Sequence, residues 1–231
     1  MTQPEFDRFA TSYNADLARS LVATGEAPDF YARARTDWAA QCVANLQHPV
    51  QRILDYGCGT GGNTSILAAA FKAGHVLGVD ISSLSIAEAR QSSPGGPVSF
   101  LATSDWIPDG TIHLAFTNGV FHHIPPPERL ECLHAIRRAL TPGGLFAFWE
   151  NNPWNLGTRY VMSQCVFDEN AIPISPPHAL RILRQAGFEV LRTDFLFFFP
   201  RPLKWLRPIE RWLRILPLGG QYQVLCRNPA A

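Results

Sequence analysis

The densest concentration of residues able to do chemistry is the run Asp55-Tyr56-Gly57-Cys58-Gly59-Thr60-Gly61-Gly62. Gly57, Gly59 and Gly62 spell G-x-G-x-x-G, which lets the backbone pass close to a bound ligand between a strand and a helix. Taken alone, the pattern also fits a dinucleotide site. Asp55 separates the readings: two residues before the first glycine, its carboxylate would meet a pyrophosphate with the wrong sign. It suits a ligand that carries ammonium and sulfonium charge. Asp80 ends a second apolar run, His75-Val76-Leu77-Gly78-Val79-Asp80. At a strand end its two oxygens can accept from both hydroxyls of a ribose. The structural alternative is an N-cap for a helix starting near Ser83.

Such residues work only if a scaffold holds them. From Arg52 onward short apolar runs alternate with helical segments, predicting strands near 52–56, 75–80, 98–102, 112–118 and 144–150 and helices near 62–73, 83–91 and 126–139. This alternation indicates βαβ units and a parallel sheet, whose ligands sit at the carboxyl ends of the strands. Residues 5 to 46 read as two helices. The second carries Tyr31, Trp38, Ala39, Cys42 and Leu46 at spacings that suit a partly buried face. After Glu150 come a Pro/Asn-rich loop, a helix near 177–186 closed by Gly187, a strand at 189–198, and a last strand from Gln221 to Cys226. A strand reached through a loop rather than a crossover helix joins such a sheet antiparallel. The expected organisation is a single domain: a helical cap over 1–49, a ligand-binding core over 50–150, and a substrate side with the closing strands over 151–231.

Bulk composition narrows the function classes. At 231 residues, 46% hydrophobic and 17% charged, the chain matches an ordinary globular domain, and no apolar run reaches the length needed to span a bilayer. The N-terminus carries Glu5 and Asp7 and no apolar stretch, the wrong pattern for a secretory signal, so a cytoplasmic location is expected. A net charge of +1 supplies no strong field for nucleic acid. The five cysteines are scattered without a C-x-x-C pair, so reduced thiols and no metal site are expected.

Four segments in order resemble the motifs of the class I S-adenosylmethionine (SAM)-dependent methyltransferases of the small-molecule type. The Asp55–Gly62 loop resembles their motif I and Asp80 their acidic motif II. Asn118-Gly119-Val120-Phe121-His122-His123-Ile124 resembles the signature after the fourth strand, and Leu140-Thr141-Pro142-Gly143-Gly144 the turn into the fifth. The resemblance covers residues 52–150 and implies a Rossmann-like, doubly wound α/β fold. Its seven-stranded sheet would be mostly parallel with an antiparallel last strand. It implies SAM as cofactor, with Asp55, Gly57, Cys58 and Gly59 around the methionine part, Asp80 and Ile81 at the ribose, and Asn118 and Gly119 along the ligand. The adenine contact falls within Thr103-Ser104-Asp105-Trp106, where the family pattern is not matched. Asp105 is one choice for the adenine amino group, and counting back from Pro108 gives Thr103. Trp106 either closes over the ring or packs in the core. Tyr13 lies in a stretch similar to the family's N-terminal cofactor cap, and Arg33 and Arg35 can reach the SAM carboxylate or a substrate anion.

Methyl transfer is an in-line displacement, so the protein mainly aligns the partners and excludes water. An acceptor hydroxyl would need a base, for which His122 and His123 are the candidates; packing is the alternative role for both. Trp149, Trp154, Phe167, Phe195, Phe197, Phe198, Phe199, Trp205 and Trp212 can line an apolar acceptor pocket, predicting a small lipophilic or aromatic substrate. Core packing is the rival explanation, since Phe195, Phe197 and Phe199 alternate as one buried face would. Residues 202–216 mix Lys204, Arg207, Arg211 and Arg214 with apolar side chains, the pattern of an interfacial segment able to touch a membrane. Pro208 predicts a short helix beginning there. Two rival functions remain: a SAM-binding protein without turnover, and an NAD-dependent oxidoreductase, which leaves Asp55 unexplained. Oligomeric state is not legible.

Overall fold

The computed structural model describes residues 5–93 and 95–230. Residues 1–4, part of the segment read against a secretory signal, lie outside the described residues. Strands β1 (Arg52–Tyr56), β2 (His75–Asp80), β3 (Val98–Ala102), β4 (Ile112–Asn118), β5 (Leu140–Asn151), β6 (Glu189–Leu196) and β7 (Gln221–Arg227) form one sheet in the order β3-β2-β1-β4-β5-β7-β6. The first five pair in parallel, and β7 lies antiparallel between β5 and β6. The sheet is the mostly parallel, doubly wound arrangement expected.

Helices cover both faces. They are α1 (Tyr13–Ser20), α2 (Pro28–Asn45), α3 (Gly62–Phe71), α4 (Ser83–Ser92), α5 (Arg129–Ala139), α6 (Leu156–Ser163), α7 (Pro176–Gln185) and the single turn α8 (Glu210–Leu213). Alternate residues of each central strand point to opposite faces, so two cores form. Leu54, Ala115, Phe146 and Phe148 pack on one face, and Ile53, Leu114, Phe116 and Ala147 on the other. Local chemistry sets several helix starts: Pro28 and Pro176 sit in first turns, where no amide hydrogen is needed. The side chains of Ser82 and Asn155 accept from the amides of Ser85 and Thr158.

Four details differ from the sequence reading. The N-terminal region opens with a 3-10 turn, Glu5–Phe9, before α1 and α2. Strand β5 begins at Leu140 rather than near 144, because Leu140 pairs with Ile112 across an irregular register. Helix α6 was not anticipated; its apolar residues are largely exposed, so no buried stripe marks it. Residues 201–209 form a 3-10 segment kinked at Leu203, and α8 starts at Glu210, two residues beyond Pro208.

Candidate functional site

At the carboxyl tip of β1 the chain turns sharply. The amides of Gly57 and Cys58 both donate to the carbonyl of Val79, at 2.8 and 3.0 Å, which folds the loop over the end of β2. Gly57 has φ of +76°, and a Cβ there would lie 2.3 Å from a Val120 methyl, so no other residue fits. Gly59, at φ +53°, has open space where a Cβ would stand. Its amide donates to Asp80 Oδ2 at 2.8 Å, and the Ser82 amide donates to Asp80 Oδ1 at 2.9 Å. Each Asp80 oxygen thus keeps acceptor capacity toward the cavity it lines. Burial raises the Asp80 pKa against these two amides. Ser82, not Asp80, caps α4.

Asp55 does not reach the cavity. Its carboxylate turns behind the loop, where Oδ2 accepts from the Thr64 hydroxyl at 2.7 Å, and burial pushes its pKa up to about 7 against that hydrogen bond. The Cys58 thiol also points away, into a small core of Ile86, Ala89 and Phe100. Neither side chain lines the cavity, contrary to the direct contact expected: Asp55 is engaged by Thr64 behind the loop, and Cys58 packs in the core of Ile86, Ala89 and Phe100. Asn118 and Gly119, at the tip of β4, do line the cavity, and the buried Asn118 Oδ1 has no hydrogen-bond partner.

Arg35 on α2 lines the cavity too. Its Nη1 donates to Gln221 Oε1 at 3.0 Å while its buried Nε is unpartnered. Burial lowers its pKa to about 10, with Tyr13, Tyr31 and Asp55 opposing. Arg33 instead faces solvent and pairs with Asp29 at 2.7 Å. Tyr13 lines the cavity, stacked on Phe167 at 4.8 Å, and burial keeps its hydroxyl protonated.

On the ribose and adenine side, Ile81 and Thr103 line the cavity. Ser104 and Asp105 do not: the 3-10 turn Thr103–Asp105 carries both outward, where the Ser104 hydroxyl donates to Asp105 at 3.2 Å. Trp106 packs edge-on against Tyr56, with ring centroids 5.8 Å apart, and does not close over the cavity.

The two histidines after β4 differ. Glu150, fully buried near the end of β5, accepts from the Phe121 amide at 2.8 Å and lies 2.5 Å from His122 Nδ1. On the other side of the ring, His122 Nε2 is 3.4 Å from Asp168 Oδ1. Burial opposes charge on His122, yet the two carboxylates push its pKa up to about 10. With both ring nitrogens facing carboxylates, His122 is held toward its protonated form, which disfavours it as the base. His123 Nε2 lies 3.3 Å from the same Asp168 oxygen, but burial outweighs that partner and its pKa is lowered. His123 is the neutral imidazole of the pair. Sequence spacing announces no metal-ligand set, yet folding brings His122, His123 and Asp168 ligand atoms within 4.8 Å of one another. Asp168 and Glu150 escaped the sequence reading because each is an isolated acid far along the chain from the histidines.

The cavity has a volume of about 1200 Å³. Beyond the strand tips its wall is apolar: Phe6, Phe9, Phe30, Phe167 and the run Phe197–Phe199 contribute. Phe197 takes φ of +63°, which breaks strand alternation and lets three consecutive phenylalanines reach one cavity. Trp149 and Phe195 are buried in the cores, and Trp154, Trp205 and Trp212 are surface residues outside the cavity wall. The aromatic supply is therefore divided among wall, core and surface.

A doubly wound sheet with an antiparallel seventh strand, a glycine loop after β1, an acid after β2 and a cavity across the strand tips define the class I SAM-dependent methyltransferase architecture. Comparisons agree. The family described as "Methyltransferase domain" matches residues 53–144. A trans-aconitate 2-methyltransferase from Escherichia coli is 28% identical over 211 residues, covering 85% of this chain and 83% of that protein. A methyltransferase from Haloferax volcanii, solved with a methyltransferase activator, superposes with a TM-score of 0.67 at 19% identity over 99% of this chain and all of its own. A SAM-dependent methyltransferase from Thermotoga maritima gives 0.65 at 20% identity, covering 96% and 97%. Residues 53–144 carry a methyltransferase domain, and the comparisons together support a SAM-dependent methyltransferase with SAM as its cofactor.

Proposed function

We propose that this enzyme methylates a small lipophilic or aromatic acceptor, acting as a single domain in the cytoplasm. The observation that carries the reading is the division of one cavity between a polar end with unpaired buried groups and an apolar end of phenylalanines. At the polar end, Arg35 Nε is an unpaired donor and Asn118 Oδ1 an unpaired acceptor. Together they complement the carboxylate and ammonium of an α-amino acid, which is the chemistry of SAM's methionine end. The free acceptor capacity of Asp80 suits a ribose diol, with Ile81 and Thr103 beside the base. Gly57, Gly59 and Gly119 let the backbone approach the ligand, and Tyr13 lines the same cavity. Asp55 acts at one remove, through its charge behind the loop.

Bound SAM supplies an electrophilic methyl group. The protein aligns the acceptor, excludes water with its phenylalanine wall, and holds a proton acceptor for a hydroxyl-bearing substrate. That acceptor is His123, neutral at pH 7, with Asp168 fixing its Nε2 side. The cavity exceeds the volume of roughly 300 to 1,000 Å³ usual for a single-ligand site, which leaves room for two molecules.

A polycarboxylate acceptor, as in the relatives named for trans-aconitate, needs several unengaged cations. Among the described residues, the cavity's arginines are Arg35, Arg207 and Arg214. Arg207 already pairs with Glu26 at 2.9 Å, and the Arg214 guanidinium lies over Trp38 at 3.6 Å. With Arg35 assigned to the cofactor, no cluster of unengaged arginines is left among the described cavity residues, which favours an apolar acceptor. Calorimetric titration with SAM, S-adenosylhomocysteine and NAD is the first test, followed by an acceptor screen containing lipophilic phenols and trans-aconitate. Micromolar SAM binding with turnover only on the phenols supports the proposal. Turnover on trans-aconitate alone overturns the acceptor class, and NAD binding alone overturns the cofactor assignment of the site.

A further inference from the structure

The surface beside the apolar end of the cavity carries an unusual amount of exposed hydrocarbon. Between residues 203 and 218, Leu203, Trp205, Ile209, Trp212, Ile215, Leu216 and Leu218 are all exposed, with Trp205 at 71%, Trp212 at 61% and Ile215 at 81%. A second exposed stretch, Trp154, Leu156 and Tyr160, adjoins it. The Asn155 side chain donates to the carbonyl of Leu218 at 2.8 Å, and Thr158 Oγ1 donates to that of Gly220 at 2.7 Å. A third contribution comes from Val22, 74% exposed, in the turn joined to the segment where Arg201 donates to the carbonyl of Gly25. Three chain segments distant in sequence thus present one apolar margin. Each also supplies cavity wall: Ala23 and Thr24 from the Val22 turn, Leu156 and Tyr160 from the 154–160 stretch, Arg207 and Arg214 from the 201–218 segment.

Charge on this margin differs from the rest of the molecule. The chain carries +1 overall, yet residues 201–218 hold five basic side chains and one acid. Arg207 and Arg214 are engaged with Glu26 and Trp38. Arg201, Lys204 and Arg211 remain exposed among the apolar residues. Glu210 is partly buried and accepts from the Phe199 amide at 3.0 Å, so it does not offset them at the surface. Exposed tryptophans with interspersed cations are the composition that partitions into the headgroup region of an anionic bilayer, where indole and guanidinium are each half solvated. A patch of this size left in water would be an association hazard.

We propose that the margin formed by Val22, Trp154–Tyr160 and Leu203–Leu218 docks on an anionic lipid surface, placing the apolar end of the cavity against the bilayer so that a lipophilic acceptor enters from the lipid phase. The docking itself stands on the surface alone; the entry route rests on the acceptor class proposed above.

The test is co-sedimentation of the full-length enzyme with vesicles of phosphatidylcholine alone and with 30 mol% phosphatidylglycerol, together with tryptophan emission. Wild type is expected to partition at least roughly tenfold more strongly onto the anionic vesicles, to lose most of that preference in 1 M salt, and to show a blue-shifted emission. The double variant Trp205→Ala/Trp212→Ala, altered outside the cavity wall, is expected to lose at least roughly tenfold in partitioning while its calorimetric SAM affinity is unchanged. Equal partitioning of variant and wild type, or no binding to either vesicle, overturns docking. So does a dimer whose dissociation by the double variant accounts for the tryptophan burial. Vesicle binding without turnover of any lipophilic acceptor leaves docking standing and removes the acceptor class. Turnover of a detergent-dispersed acceptor by an enzyme that ignores vesicles removes docking and leaves the acceptor class.

Discussion

The two ends of the cavity are built in opposite ways. The polar end comes from strand tips: Gly57 and Gly59 follow β1, Asp80 ends β2 and Asn118 ends β4, so neighbouring strands in register bring together residues that a short stretch of chain already specifies. The apolar end is assembled from α1, α2, the 166–168 turn, Phe197–Phe199 and residues 201–214, segments up to roughly two hundred positions apart. A parallel sheet fixes the first set through its backbone ladder, whereas side-chain packing between surface elements fixes the second. On the function proposed above, the sequence-announced end would take the cofactor, and the end assembled from distant segments would set acceptor specificity.

The residues that join the halves offer the largest predicted effect. His122→Ala leaves Glu150 and Asp168 buried without their shared cation and should cost about 3–5 kcal/mol of stability, read by denaturant unfolding at pH 7. The His122 pKa is raised on folding, so its contribution is full below the unfolded value near 6.5 and is lost as pH rises through about 10. The stability gap between variant and wild type should accordingly narrow from pH 7 to pH 10. A constant gap would mean that the ring stabilises by packing rather than charge.

At the cofactor end, Asp80→Ala removes two charge-assisted acceptors and should weaken SAM binding by roughly 100-fold or more, measured by calorimetry, with the fold checked by circular dichroism. At the acceptor end, His123→Ala should leave that affinity unchanged and lower kcat by about 100-fold on a hydroxyl substrate. Equal losses of SAM binding in both variants would erase the distinction between the ends. Because burial lowers the His123 pKa, wild-type kcat should be flat above pH 7 and fall only at pH values below about 6.5 as the imidazole gains its proton.

Smaller effects sharpen the role of residues behind the wall. Asp55 sits near a pKa of about 7, and a cationic ligand in front of the loop favours its ionised form. SAM binding should then release a proton near neutrality and tighten from pH 6 to pH 8, by at most about tenfold per unit, as titration in two buffers of different ionisation enthalpy would report. Asp55→Asn should remove this dependence. Asp105→Ala, on the outer side of its turn, should change SAM affinity by less than about threefold; a larger loss would restore it to the adenine site.

Much of the architecture follows from local pattern. The apolar runs at 52–56, 75–80 and 98–102 match β1, β2 and β3 because each is a short apolar stretch bounded by polar or turn residues, a signal short enough to read directly. Gly57 and Asp80 were equally legible, since a positive φ at a strand tip and a carboxylate at a strand end each leave a residue-type requirement in place. What the chain alone left open was direction and partnership. Asp55 and Cys58 sit in the motif but do not line the cavity, because Thr64 engages the first behind the loop and the core of Ile86, Ala89 and Phe100 takes the second. His122 and His123 are adjacent in sequence, yet the tertiary placement of Glu150 and Asp168 favours the charged form of His122 against its burial, whereas burial prevails at His123. The phenylalanines at 195, 197 and 199 looked like one face until the left-handed backbone at Phe197 redirected the run into the cavity. Sequence by itself thus determined the sheet, its glycine loop and the acid at its edge, since those rest on short-range conformational and hydrophobic rules. Tertiary structure alone decided which acids pair with which histidines and where the aromatic side chains are spent, because those depend on long-range packing and on the low dielectric it creates.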